Sequence, residues 1–142
     1  VLVVKKGSKY ANATSLADFA GAKVTAQLNT FHYSVIDQIT GVDKQAAMDN
    51  FPAMRVALQA GTIDAYVSEL PEAISAQSAN IDFVMVKLTD GFKASPEDTQ
   101  TAVGVKKDSP LTKEINEALK TISSEERQQI MEEAIKNQPA AE

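Results

Sequence analysis

The sequence predicts an α/β fold, a mainly parallel sheet with helices on both faces. Two observations predict it. Short apolar runs of strand length alternate with helical stretches along the chain. The joints between them carry start and stop chemistry: Thr30, Pro52, Pro71 and Ser109-Pro110 as helix starts, and Gly21, Gly41 and Gly61 as stops.

Taken in order, Val1 to Val4 reads as a buried strand. Lys5 to Asn12 is a polar loop. Thr14 or Ser15 then starts a short helix through Ala20, with Ser15 and Asp18 at capping-box spacing and Leu16 and Phe19 as its apolar face. A strand follows over 24–27, with Val24 and Ala26 on one side and Thr25 and Gln27 on the other. Asn29 tolerates the left-handed backbone that a sharp strand-to-helix turn demands, and Thr30 is a good N-cap for a helix over 31–39. A short strand is expected around Gln45 to Met48. Asn50-Phe51-Pro52 opens a helix whose core side carries Met54, Ala57 and Leu58, and Gly61 ends it.

Ile63 to Val67 is the next strand, Ser68-Glu69 a polar exit, and 71–79 a helix. Ile81 to Val86 is a strand, Asp90 to Gln100 a loop, and Thr101 to Val105 a strand. Helix 110–122 spaces Leu111, Ile115, Ala118, Leu119 and Ile122 at the helical period. Ser123 and Glu126, at capping-box spacing, start a last helix, and Gln138 to Glu142 reads as a frayed tail.

The chain has 142 residues, a net charge of −5 and no cysteine. The acidic balance without a basic stripe argues against nucleic acid, and no run approaches the length of a membrane span. Zero cysteine excludes disulfides and cysteine nucleophiles. No metal cluster, glycine-rich phosphate loop or paired-carboxylate signature is present, so no cofactor, no metal and no catalytic residue is expected.

The binding chemistry lies in two turns. After strand 24–27, Asn29, Thr30 and Phe31 open a helix whose first N–H groups are free and carry the positive end of its dipole, which suits a carboxylate. After strand 63–67, Glu69 offers a carboxylate to a cation. If the two strands are parallel neighbours, both turns open on the same edge, where open α/β sheets bind ligands. A ligand with an anion and a cation close together is a zwitterion, the simplest being an α-amino acid. Gln27 and Ser68 lie beside these positions. His32, the only histidine, reads as a rim residue. Phe31 and Tyr33 are as compatible with core packing as with a cleft, and Glu72 reads as a charge favouring its helix N-terminus.

Three runs resemble the polar amino-acid substrate-binding proteins of ABC importers, the type II, or family 3, solute-binding proteins. They are Val1 to Ser8 with Ser15 to Thr30, Ala57 to Ala65, and Val103 to Leu111. The resemblance covers nearly the whole chain. It implies a three-layer periplasmic-binding-protein-like II lobe that binds a polar amino acid by closure on a second lobe, without catalysis. It implies that 1–105 is lobe 2 with its crossover strands (Val1–Val4 and Thr101–Val105), and that 106–142 holds helices of lobe 1. The rest of lobe 1 is then absent, in keeping with a chain that opens mid-strand. The carboxylate turn falls on Asn29, Thr30 and Phe31, with Asn29 where the family has Gly, and the ammonium-binding acid falls on Glu69, where the family has Asp.

The same resemblance implies ABC permease subunits as partners and an extracytoplasmic location, tethered as a lipoprotein or fused to the permease. Glutamine, arginine and histidine all fit the implied ligand class. Orphaned helices and strand edges would make such a fragment prone to homodimerise. A dehydratase of the same fold and the effector domain of a LysR-type regulator are the alternatives.

Overall fold

The computed structural model describes residues 1–137. The chain divides into two compact units, one ending at Asp98 and the other beginning at Thr99.

The first unit is built on a five-stranded sheet. Its strands are β1 (Leu2–Lys5), β2 (Lys23–Thr25), β3 (Asp43–Lys44), β4 (Ala65–Val67) and β5 (Phe83–Val86), in the order β3-β2-β4-β1-β5. β2 pairs in parallel with β3 and β4. β1 pairs antiparallel with β4 on one side and β5 on the other. Four strands therefore run one way and β1 alone is reversed, so the sheet is mixed and mainly parallel, as the alternation of elements predicts.

The strand period decides the layers. Leu2 and Val4, Val24 and Ala26, and Ala65 and Val67 face one side, where they pack with Tyr10, Phe19, Val35, Ile36 and Ile39. Val3 and Tyr66 face the other side, against Met54, Ala57 and Leu58 of α2 (Phe51–Ala60) and Ala73 and Ala76 of α3 (Leu70–Ala79). Helical segments thus cover both faces of the sheet, giving three layers.

Local chemistry explains the element ends. Asn50 caps α2 by accepting from the Ala53 N–H at 2.9 Å, and Gly61 closes it in the left-handed conformation at φ 76°. Asp18 reaches back to accept from the N–H groups of Thr14 and Ser15 at 2.8 and 2.9 Å, which starts the turn Leu16–Phe19. That turn is 3-10 rather than α-helical, since it has too few residues to hold a second turn. The stretch predicted as one helix over 31–39 is α1 (Phe31–Val35) continued by a 3-10 turn, Ile36–Gln38.

Two predicted strands differ. Gln45 to Met48 is not a strand: the ladder forms earlier, at β3, and resumes only as a single bridge between Gln27 and Met48. Thr101 to Val105 forms no strand, because an apolar run becomes one only where a neighbour offers ladder hydrogen bonds, and none of the described ladders includes it. The loop expected over 90–100 contains one short helical turn, α4 (Pro96–Thr99).

The second unit carries α5 (Leu111–Lys120) and α6 (Ser124–Lys136). Ser123 caps α6 by accepting from the Glu126 N–H at 3.1 Å. Neither helix buries a residue; Leu111, Leu119, Ile130 and Met131 stay exposed. The tail assigned to Gln138 to Glu142 lies outside the described residues.

Candidate functional site

β2 and β4 are parallel neighbours, with Val24 opposite Ala65 and Thr25 opposite Tyr66. Both chains leave the sheet in the same direction, so the turn after β2 and the turn after β4 share one edge.

The first turn is tightly built. The Leu28 N–H donates to the Met48 carbonyl at 2.8 Å, and Gln27 Nε2 donates to the Asp49 carbonyl at 3.1 Å. Asn29 sits at φ 60°, the left-handed conformation that its residue type tolerates. Thr30 occupies the N-cap of α1 in extended geometry, but its hydroxyl does not cap. It donates instead to the Gln27 carbonyl at 2.7 Å, closing the turn on itself. The first N–H groups of α1 are thereby left to other acceptors. Phe31 is half-buried against the core, and its ring lies 4.2 Å from the His32 ring, centroid to centroid.

The second turn is built differently. Ser68 is buried at 1% exposure and Glu69 is exposed at the N-cap of α3. The Glu69 carboxylate makes no hydrogen bond or ion pair among the described residues, and its carbonyl accepts from the Ala73 N–H at 3.1 Å. The Ser68 hydroxyl is committed to protein: it lies 2.6 Å from Glu72 Oε2 and 3.1 Å from the Glu69 carbonyl.

His32 joins the two turns electrostatically. Burial pushes its pKa down, against an upward pull from the Glu69 charge. Its Nδ1 is buried with no hydrogen-bond partner among the described residues. The edge therefore brings together a turn of open N–H groups, a free carboxylate and an imidazole held toward its neutral form. Asn29, Thr30, Phe31 and Glu69 all lie on this edge; Gln27 supports the first turn and Ser68 the second.

Sequence reasoning missed Glu72. Its side chain is 8% exposed, and it accepts from Arg55 Nη2 at 2.7 Å and Nε at 3.0 Å. It is a buried ionic group, where the sequence suggested a solvated first-turn charge. Its distance of four residues from Ser68 was legible; its pairing with Arg55 of α2 needs the tertiary fold.

No group among the described residues could hold a metal ion, and no described helix is long and apolar enough to cross a membrane. In the second unit, a groove of about 680 Å³ is lined by Ser109, Pro110, residues of α5 and Arg127.

No family model and no curated protein matches the chain. Among solved structures, the amino-acid ABC transporter substrate-binding protein AbpA from Streptococcus pneumoniae, bound to L-arginine, is similar at 26% identity and a TM-score of 0.71. The match covers 95% of this chain and 56% of AbpA. Domain 2 of TmArgBP is similar at 25% identity and a TM-score of 0.55, over 63% of this chain and 97% of that domain. The Gly52Ala mutant of arginine-bound ArgBP from T. maritima is similar at 27% identity and a TM-score of 0.54, over 59% of this chain and 38% of its own. This chain has the fold of the amino-acid substrate-binding proteins of ABC transporters. It spans little more than half of AbpA. AbpA is named as a substrate-binding protein and the T. maritima protein as arginine-bound ArgBP, in agreement with the expectation of a binding module.

Proposed function

We propose that this chain is part of an extracytoplasmic solute-binding protein of an ABC importer, and that its β2–β4 edge is half of a site for a polar amino acid. The observation that carries the reading is the parallel pairing of β2 with β4, which puts the Asn29-Thr30-Phe31 turn and Glu69 on one edge. The N–H groups of Thr30 and Phe31 take the ligand carboxylate, and Glu69 takes the ammonium group. The arginine bound to AbpA and to the T. maritima protein supports this ligand class; glutamine and histidine are the other candidates.

In this reading residues 1–105 form lobe 2. The helices of 106–142 belong to lobe 1, and their exposed Leu111, Leu119, Ile130 and Met131 suit packing against the rest of that lobe. The likeness to an isolated domain at 97% of its length supports the reading of one lobe as a unit. Closure of the two lobes on the ligand gives the form that permease subunits recognise. A single lobe makes only part of the contacts, so its affinity is low.

The test is a titration of arginine, glutamine and histidine into the labelled chain, followed by amide chemical shifts. Saturable shifts at Asn29 to His32 and at Glu69 and Leu70, lost in Glu69→Gln, are the expected result. Shifts elsewhere, or none at the highest soluble concentration, would refute the reading.

A further inference from the structure

The Glu72 carboxylate lies in the first turn of α3, three residues after Glu69. Two carboxylates so close are set in opposite surroundings. Glu69 is exposed and its carboxylate has no hydrogen-bond or ion-pair partner among the described residues, while the Glu72 side chain is buried and accepts from three residues. Arg55 comes from α2 and places Nη2 and Nε at 2.7 and 3.0 Å from Oε1. The Tyr66 hydroxyl comes from β4 and lies 3.4 Å from the same oxygen. The Ser68 hydroxyl, from the exit of β4, donates to Oε2 at 2.6 Å.

Packing alone gives no reason for this arrangement. A buried ion pair gains little stability over apolar side chains of similar volume, because both ions are stripped of water. What it supplies is orientation. The carboxylate joins α2, β4 and α3 at one point, and its Ser68 bond grips the residue immediately before Glu69. Ser68 also lies against the Glu69 carbonyl at 3.1 Å, and that carbonyl anchors the first helical bond, from Ala73. The backbone on both sides of Glu69 is thus held while its side chain is left free.

We infer that the Arg55–Glu72 ion pair, acting through Ser68, is a positioning device that fixes the backbone from which Glu69 presents its carboxylate to a ligand ammonium group. The inference rests on the reading of Glu69 as the ammonium ligand. Arg55 and Glu72 are positioning residues. They touch no ligand, and they act on the site by holding the turn that carries Glu69. The Arg55 charge also neutralises Glu72, so that at the β4 exit Glu69 is the negative charge that no described residue pairs.

The test uses two variants of the chain, Glu72→Gln and the double variant Arg55→Met with Glu72→Met. The double variant removes both charges while keeping volume, so it is the one expected to fold normally. In it the melting transition seen by tyrosine fluorescence stays cooperative, lowered by the acceptor lost to the Tyr66 and Ser68 hydroxyls. Exchange of the Ala73 amide accelerates about tenfold relative to the amides of β1, and arginine affinity falls about tenfold. Glu72→Gln, which keeps the Ser68 contact but loses the charge, falls between the wild type and the double variant in both readouts. Wild-type exchange and affinity in the double variant would overturn the inference, since the pair would then be mere packing. Loss of protection spread evenly over the sheet in both variants would overturn it too, because the pair would then hold the fold and not the turn. If the wild-type chain binds no amino acid, the ligand reading fails by that result. The clamp on the turn is then decided by Ala73 exchange alone.

Discussion

Asn29 gives the sharpest test of how the first turn is made. Its φ is 60°, and its exposed side chain makes no hydrogen bond among the described residues. Replacing it therefore changes the backbone cost and little else. An ordinary L-residue in the left-handed region costs about 1–2 kcal/mol, of which Asn avoids a part, so Asn29→Ala should destabilise the first unit by about 1 kcal/mol. Asn29→Gly relieves the same strain but loosens the unfolded chain by about 0.4–1 kcal/mol, and its net effect should be close to zero. Gly61→Ala is the reference. It has φ 76° and no atom within 4 Å of an added Cβ, so its cost is also purely conformational. The chain has no tryptophan and 3 tyrosines, Tyr10, Tyr33 and Tyr66, all in the unit ending at Asp98. Tyrosine fluorescence in urea thus reports that unit alone. With a denaturant slope of about 2 kcal/mol per molar, Asn29→Ala should lower the urea midpoint by roughly 0.5 M, Gly61→Ala by a similar amount, and Asn29→Gly by almost nothing. A midpoint for Asn29→Ala equal to the wild type, beside a normal loss for Gly61→Ala, would refute the left-handed turn. The geometry proposed for the carboxylate site would fall with it.

Three further outcomes are expected. Leu58→Ala empties a fully buried position between α2 and the sheet and should cost about 2–5 kcal/mol in the same urea assay; a loss below 1 kcal/mol would mean that α2 is not docked as described. His32 is held below its ordinary pKa by burial, so in the window between its folded value and about 6.5 the unfolded chain binds a proton that the folded one does not. Its contribution to stability is full above that window and declines as pH falls through it. The midpoint difference between wild type and His32→Gln should shift in that direction, and a flat difference would count against a buried imidazole. Backbone N–H donation from Thr14 and Ser15 lowers the Asp18 pKa, so its contribution is present above the ordinary carboxylate range and lost as pH falls through the depressed value. Asp18→Asn should lower the midpoint at neutral pH and converge with the wild type in strong acid; parallel curves would show that the cap is not ionic.

The fold was legible where its causes are local. Val3 between Leu2 and Val4, and Tyr66 between Ala65 and Val67, declare two buried faces by period alone, and the structure places them so. Gly61 and Asn50 declare helix ends because their caps need no distant partner. Thr101 to Val105 reads as a strand for the same local reasons and forms none, since a ladder is a property of two segments. Gln45 to Met48 differs in the same way: the ladder against β2 is set by Asp43 and Lys44, the Gln45 N–H still donates to the Val24 carbonyl at 2.8 Å, and pairing then lapses until the single bridge at Met48. Thr30 shows the intermediate case. Its position at the helix start was readable, whereas its hydroxyl had a choice between a helix N–H and the Gln27 carbonyl, and the left-handed Asn29 decides for the carbonyl.

Glu69 and Glu72 mark how far a sequence carries a site. They are the same residue type in one helix start; the sequence reads Glu69 as a carboxylate for a cation and Glu72 as a charge favouring the helix N-terminus. The difference between them comes from Arg55, which is brought to Glu72 by the packing of α2 and α3 on the same face of the sheet. Once Arg55 takes Glu72, Glu69 is the carboxylate of this helix start that no described residue pairs, and Tyr66 beside the pair is fully buried. Exposure without a partner and burial with three partners are thus two outcomes of one packing event. A carboxylate at a strand exit becomes a candidate ligand group when the fold has supplied a partner for its neighbour and none for itself.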